Sequence, residues 1–258
     1  MKHTLHAEWT KLRAGSGALP LLLLALLLTV ATGAATAATV TCPAPGCGED
    51  PVRLSLTGIV VGQAVVAIAA VLTVTTEYST GLIHTTLTAV PRRLTAFTAK
   101  ATAVTAAVLT TGTLAVLATL LAGRSILPGN GFTPENGFGP LSLADEPTLR
   151  AAAGSVLYLA LIALLSLGVA TAVREGATAI GIVLALLYLF PVVAQVVNDP
   201  DLQRHLQQLS PMSAGLAVQS TTDLDHLPIG PWHGLGVLAA WSATALLAGG
   251  FLLCRRDA

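Results

Sequence analysis

Charged residues make up only 10% of this 258-residue chain, and aromatic residues only 4%. Water-soluble domains carry about 25% charged residues. A chain with so few cannot cover its own surface in water, and it reads as an integral membrane protein. The scarcity of aromatics, with no sustained apolar/polar alternation, excludes an outer-membrane barrel, whose strands alternate and whose rims are aromatic. Lysine is rarer still: Lys2, Lys11 and Lys100 are all there are. None follows a glycine-rich loop, so the phosphate-cradling motif is missing and ATP hydrolysis by that route is excluded. The His-Glu-x-x-His and Gly-x-Ser-x-Gly signatures are missing too. No nucleophile–base or metal pair falls inside an apolar run, so no covalent chemistry and no cofactor are expected in this chain. Thirteen basic and thirteen acidic residues leave no net charge, which excludes a generally basic nucleic-acid binder.

What the chain has in quantity is apolar sequence, 53% of its residues. Six runs, at 18–40, 54–76, 101–122, 151–173, 177–197 and 234–254, contain no Asp, Glu, Lys or Arg. Each is long enough to cross a bilayer, and in lipid such runs must be helices, because only then is the backbone satisfied from within. The expected fold is therefore all-α, one transmembrane domain over 1–258. The first run is longer than a signal-peptide core and five more follow, so it is expected to remain in the chain. With the N-terminus placed in the cytoplasm, nine basic residues fall inside (Lys2, Lys11, Arg13, Arg92, Arg93, Lys100, Arg174, Arg255 and Arg256) and four outside. This imbalance predicts a multi-pass protein of the cell membrane with both termini cytoplasmic.

Residues 1–16 precede the first span. Leu5, Trp9 and Leu12 share one face, with Glu8 and Lys11 off it, which reads as an interfacial amphipathic helix. A simple orienting leader is the plainer alternative. Loop 41–53, on the outer side, holds Cys42 and Cys47 among prolines and glycines. A disulfide and two free thiols are equal readings there, and two cysteines alone make a poor metal site. Loop 123–149 repeats Asn130-Gly131-Phe132 as Asn136-Gly137-Phe138, a turn-rich pattern whose phenylalanines are expected at the interface. In loop 198–232, Asp199-Pro200 and Ser210-Pro211 each read as a helix cap followed by a first-turn proline, predicting two short helices near the outer surface. Asp223, Asp225 and His226 in the same loop read as an ordinary solvated segment. Gly58 and Gly62 form a Gly-x-x-x-Gly pair that suggests a packing face for a second copy. Gln63 and Gln195, the polar exceptions within the runs, read as helix–helix hydrogen-bonding groups or as path-lining residues.

Segment 77–100 joins the second and third spans on the cytoplasmic side. Glu77 stands at the exit of span two, Gly81 and Pro91 bracket a short amphiphilic stretch, and Arg92, Arg93 and Lys100 return the chain to the membrane. A compact projection that a partner could grip and a basic orienting loop fit this pattern equally. The run Glu77-Tyr78-Ser79-x-Gly81-x-Ile83-x-Thr85-Thr86-Leu87 to Pro91-Arg92-Arg93, followed by Lys100, resembles the membrane subunits of type-2 ATP-binding-cassette (ABC) exporters, especially the actinobacterial branch. The opening Glu8-Trp9-Thr10-Lys11-Leu12-Arg13 is similar to that family's N-terminus, and the Ser210-Pro211 segment more loosely so.

The resemblance implies a permease. Segment 77–93 would hold a coupling helix that docks on a separate ATPase subunit carrying ATP and Mg, with Glu77, Tyr78, Gly81, Arg92 and Arg93 at the contact. His84 departs from the family, where Arg is frequent, and would weaken or pH-tune that contact. Glu77 is expected either to cap the short helix or to pair with Arg93. Residues 2–14 would be the connecting helix, and two permease chains would form a homodimer or heterodimer in membrane lipid. Charge-free spans suit an apolar or amphipathic cargo: a small molecule, peptide or lipid-like compound. The alternative reading is a non-transporting anchor, sensor or immunity protein that holds a cytoplasmic partner through the same loop.

Overall fold

A computed structural model describes residues 2–14, 17–43, 47–90 and 92–255, apart from the side chains of Lys2, His3, Ala14, His84, Leu87 and Ala89. Pro91 and Arg256, which figured in the sequence reading, therefore lie outside the described residues, as does the His84 side chain. Among the described residues the secondary structure is helical throughout, and six helices are long and apolar enough to cross a membrane. The protein is an all-α, multi-pass membrane protein.

In chain order, α1 (Lys2–Ala14) precedes the first span, α2 (Ala18–Thr39). The second span is a broken helix, α3 (Pro51–Leu56) continuing into α4 (Ile59–Ser79). A short α5 (Leu82–Ala89) leads to the third span, α6 (Arg93–Ile126). Then come α7 (Glu146–Val173) and α8 (Gly176–Val196), two short helices α9 (Pro200–Leu209) and α10 (Pro211–Leu216), and the last span α11 (Pro231–Arg255). Helix α6 is far longer than its apolar run, because Arg93, Leu94 and Ala96 favour helix and no breaker follows Arg92.

The ends of these helices follow from local chemistry. Asp199 accepts hydrogen bonds from the N–H groups of Asp201 and Leu202, and Ser210 from that of Ser213, each ahead of a proline in the first turn. Arg174 closes α7 in the left-handed region (φ 68°), and Glu175 then caps α8 through the N–H groups of Ala177 and Thr178. A two-residue link thus makes α7 and α8 antiparallel neighbours. Those two N–H bonds, with one from Thr178's side chain, hold the exposed Glu175 carboxyl below its ordinary value. Many serine and threonine hydroxyls along the spans bond back to carbonyls three or four residues earlier, as Thr29 does to Ala25 and Ser166 to Ile162, which satisfies those donors within the helix.

The bundle is centred on α4 and α7. In their apolar windows 61% of residues are buried, against 22% in α8, which lies on the periphery. Small residues set the close crossings. At Gly58 an added Cβ would lie 1.9 Å from the Thr29 carbonyl oxygen, and at Gly62 2.0 Å from the Thr29 hydroxyl, so α2 and the second span meet backbone to backbone. Gly168 and Gly249 do the same for α7 and α11. This corrects the reading of Gly58 and Gly62 as a face for a second copy: helix α2 of the same chain occupies it. The sequence motif specifies close approach but not to which helix.

Helix α1 and the end of α11 lie at one end of the bundle, here the termini face: Lys100 of α6 donates to Glu8 of α1 at 2.7 Å, and the Arg93 guanidinium at the start of α6 donates to the Leu253 carbonyl near the end of α11 at 2.9 Å. At the far face, Cys42 and Cys47 form a disulfide. Cys42 N–H donates to the Asn130 carbonyl at 2.8 Å, and the Asn130 amide donates to the Ala37 carbonyl at 2.7 Å. Phe132 is buried with Ala37, Cys42 and Leu127, and stands edge-on to Phe138 at 5.0 Å. Phe132 is thus packed into protein rather than lying at the membrane interface, because this loop folds back on the first one. Asp50 joins both to the last loop. It accepts from the N–H groups of Val52 and Arg53 in its own helix, and from the N–H and hydroxyl of Thr221 and the N–H of Thr222.

Replacing Gly58 by Val is expected to lower stability by about 2–3 kcal/mol through overpacking against α2. Gly181→Ala, on the open face of α8, leaves it unchanged or slightly raised, since no atom stands within 4 Å of the new Cβ. Thermal unfolding of the purified protein in lipid nanodiscs measures both.

Candidate functional site

A charged side chain near lipid is costly unless it is paired. The termini face contains four that are paired with one another. Glu8 of α1 is 3% exposed and Glu77 at the end of α4 is 5% exposed, a rare burial for carboxylates. Lys100, two turns into α6, donates to Glu8 Oε2 at 2.7 Å, to Glu77 Oε1 at 2.9 Å and to the Thr73 carbonyl at 3.2 Å. Lys11, on the next turn of α1 after Glu8, donates to Glu8 Oε1 at 2.8 Å and to Glu77 Oε1 at 2.9 Å. Its third proton goes to the Thr86 hydroxyl of α5 at 3.0 Å. One closed network of alternating charge therefore ties α1, α4, α5 and α6 together.

The network borders a cavity of about 510 Å³ between α1, α4 and α6, walled otherwise by Thr73, Thr76, Ala103 and Val104 among others. Burial pushes the Glu8 carboxyl up, but the charge of Lys100 and the hydrogen bonds from Lys100 and Lys11 outweigh it, and its pKa lies below the ordinary 4.5. Burial likewise pushes the Lys11 amine down, yet its bonds to Glu8 and Glu77 hold it above the ordinary 10.5. Both shifts favour the charged forms of Glu8 and Lys11 at neutral pH. With two cations and two anions the site has no net charge and no nucleophile; its chemical capacity is mechanical, a junction through which displacement of one helix reaches the other three.

The remaining residues singled out in segment 77–100 are spread around this junction. The Tyr78 ring lies under the Arg174 guanidinium at 5.3 Å, a cation–π contact between the second span and the α7–α8 link. Gly81 takes a left-handed conformation (φ 72°) that turns the chain from α4 into α5. Arg92 precedes α6 with an exposed side chain. Glu77 does not cap α5 and does not pair with Arg93. It is turned inward to the two lysines, while Arg93 reaches α11 instead. The residue order placed Glu77 and Arg93 on one short segment, but the helix phase of α4 and α6 points them to different neighbours.

Glu8 is a second correction. The apolar spacing of Leu5, Trp9 and Leu12 put it on the solvated side of α1. In the structure Glu8 is buried and Leu5 is 41% exposed, while Trp9 and Leu12 are half-buried against the core. Helix α1 is oriented by its ions, because Glu8 supplies the second anion beside the buried Lys100 and Lys11 the second cation beside Glu77. The role of Glu8, Lys11 and Lys100 was missed, although a signal existed. They include two of the chain's three lysines, and all of them border apolar segments on the same side of the membrane.

Deeper in the bundle the Tyr158 hydroxyl donates to the Gln63 side-chain oxygen, the Gln63 amide donates to the Tyr188 hydroxyl at 3.3 Å, and that hydroxyl donates to the Val60 carbonyl at 2.6 Å. Gln63 thus joins α4, α7 and α8, whereas Gln195 is exposed near the end of α8. No protein-family model matches the chain, and no curated protein matches its sequence.

Lys100→Met is expected to destabilise the protein by about 3 kcal/mol, since it leaves two buried carboxylates sharing one lysine. Lys11→Met, at a side chain one-third exposed, costs clearly less. The pH profile has a fixed sign. The lowered Glu8 pKa contributes stability that is complete above 4.5 and lost as pH falls through the folded value. The raised Lys11 pKa contributes stability that is complete below 10.5 and lost only above it. Unfolding temperature in nanodiscs should therefore be flat around neutrality and drop on acidification below pH 4.5, with a smaller drop in Glu8→Gln.

Proposed function

We propose that this chain is the permease subunit of an ATP-driven ABC exporter, lying in the cell membrane with its termini in the cytoplasm. A separate ATPase subunit grips α5, and ATP binding there rocks the six-helix bundle between inward- and outward-facing states. The observation that carries this reading is the position of α5. It is an eight-residue helix projecting at the termini face between the second and third spans, with Leu82 half exposed and Thr85 and Thr88 in solvent. It is also bonded through Thr86 to the ion junction that holds α1, α4 and α6. A partner pulling on α5 would thus act on three other elements at once. The resemblance of segment 77–100 to type-2 exporters supports the same reading. Two such chains would pair, each with its own ATPase, and the cargo would be apolar or amphipathic.

Two measurements test this. Cys254, exposed near the end of α11 and the one free thiol among the described residues, should react with a membrane-impermeant maleimide only from the cytoplasmic side. Reaction from outside would reverse the orientation. In a complex reconstituted with a partner ATPase, combining Arg92→Glu and Arg93→Glu should lower complex formation and cargo-stimulated ATP hydrolysis at least tenfold. Unchanged hydrolysis and association would remove the coupling role.

A further inference from the structure

Near the far face, a second cavity of about 420 Å³ opens between the end of α8, the start of the second span and the short helices α9 and α10. That volume is within the range of small-ligand pockets, about 300–1,000 Å³. Its walls are mainly apolar, with Pro191 on one side and Met212 on the other. Five polar side chains line it: the Arg53 guanidinium, the amides of Gln195 and Gln207, and the hydroxyls of Ser213 and Ser220. None of these groups has a hydrogen-bond or ion-pair partner among the described residues. No acidic side chain lines this cavity among the described residues, and Arg53 is its one cation.

We propose that this cavity binds a singly charged anionic amphiphile, its head on Arg53 and its chain along α8. The donor set specifies the head. A guanidinium recognises a carboxylate or phosphate oxygen pair, and two amides and two hydroxyls can donate to the remaining oxygens. The placement specifies the tail. Arg53 lies in the first turn of α3, where the second span begins, while Pro191 stands inside α8, beside the exposed Leu189, Val192 and Val193 that face lipid. A molecule whose head meets Arg53 can therefore keep its chain in hydrocarbon. The proline removes one backbone bond from α8 and makes this the helix turn that yields most easily. Charge number is limited from the other side. Arg53 also borders a neighbouring cavity lined by Glu49, Asp50 and Asp223, and these carboxylates oppose a doubly charged head. The amphiphile could be a bilayer lipid or a free solute, and both present the same chemistry here. The assignment rests on this chain's own residues and holds whether or not the exporter reading does.

The test uses the full chain in phosphatidylcholine nanodiscs, with a fluorescent dodecanoate as probe and its methyl ester and dodecylammonium as controls. Dodecanoate should bind at least tenfold more tightly than either control. Arg53→Gln should weaken it about tenfold, as loss of one charge-assisted contact does. The pair Gln195→Leu with Gln207→Leu should weaken it about threefold, and Arg204→Gln, whose side chain lies outside the cavity, should leave it unchanged. Adding phosphatidylglycerol to the bilayer separates the sources: displacement of the probe assigns the site to lipid, and retention assigns it to a free amphiphile. Equal binding of the ester or the ammonium, or full dodecanoate affinity in a correctly folded Arg53→Gln protein, would overturn the proposal.

Discussion

Lys100 cannot be buried in α6 without anions beside it, and the anions come from two different parts of the chain. Glu8 arrives on a helix that lies before the first span, and Glu77 at the end of the second. Lys11 then balances the pair of carboxylates and adds the Thr86 hydroxyl of α5. Everything distinctive at the termini face follows from that requirement. Helix α1 docks with a charged residue inward, α5 is attached to the bundle rather than to a loop, and a cavity is left where these elements diverge. Buried ion networks contribute less to stability than their number of contacts suggests, because desolvation offsets much of the attraction. They do penalise every arrangement that separates the partners, so the network favours motion of α1, α4, α5 and α6 as one unit.

The two ends of the bundle are held by different forces. At the termini face the connections are ionic and run between side chains. At the far face they run largely through backbone groups: one carboxylate, Asp50, gathers donors from the start of α3 and from the last loop, and a disulfide loop is stitched to Asn130. Between them the helices approach through Gly58, Gly62, Gly168 and Gly249, where dispersion and close backbone contact replace a hydrophobic drive that lipid does not supply. Helix α8 shares least in all three. It is peripheral, contains Pro191 and borders the cavity at Arg53.

Much of the fold was legible because it depends on local or one-dimensional quantities. Span number follows from the lengths of charge-free runs. The caps at Asp199 and Ser210 follow from a short polar side chain placed before proline, a relation that holds within four residues. The failures all involve direction. Glu8 was read from the apolar spacing of its own helix, yet a cation on another helix determined where it points. Glu77 and Arg93 are close in sequence and diverge in space. The Gly58–Gly62 face was recognised as a contact, while its partner, Thr29 of α2, was not identifiable from the glycines.

By itself the sequence determined that the protein is helical, that it has six membrane-crossing elements, and where charge is permitted, because bilayer thickness and backbone hydrogen bonding act on each segment separately. Only the tertiary structure decided which charges meet. Pairing energies fall off within a few ångströms, and the helix phases that bring Glu8, Lys11, Glu77 and Lys100 within 3 Å of one another are set by how α1, α4 and α6 pack. The same holds for Arg53: its sequence neighbours mark a helix start, and only the packing of α8, α9 and α10 around it makes a cavity with a single cation.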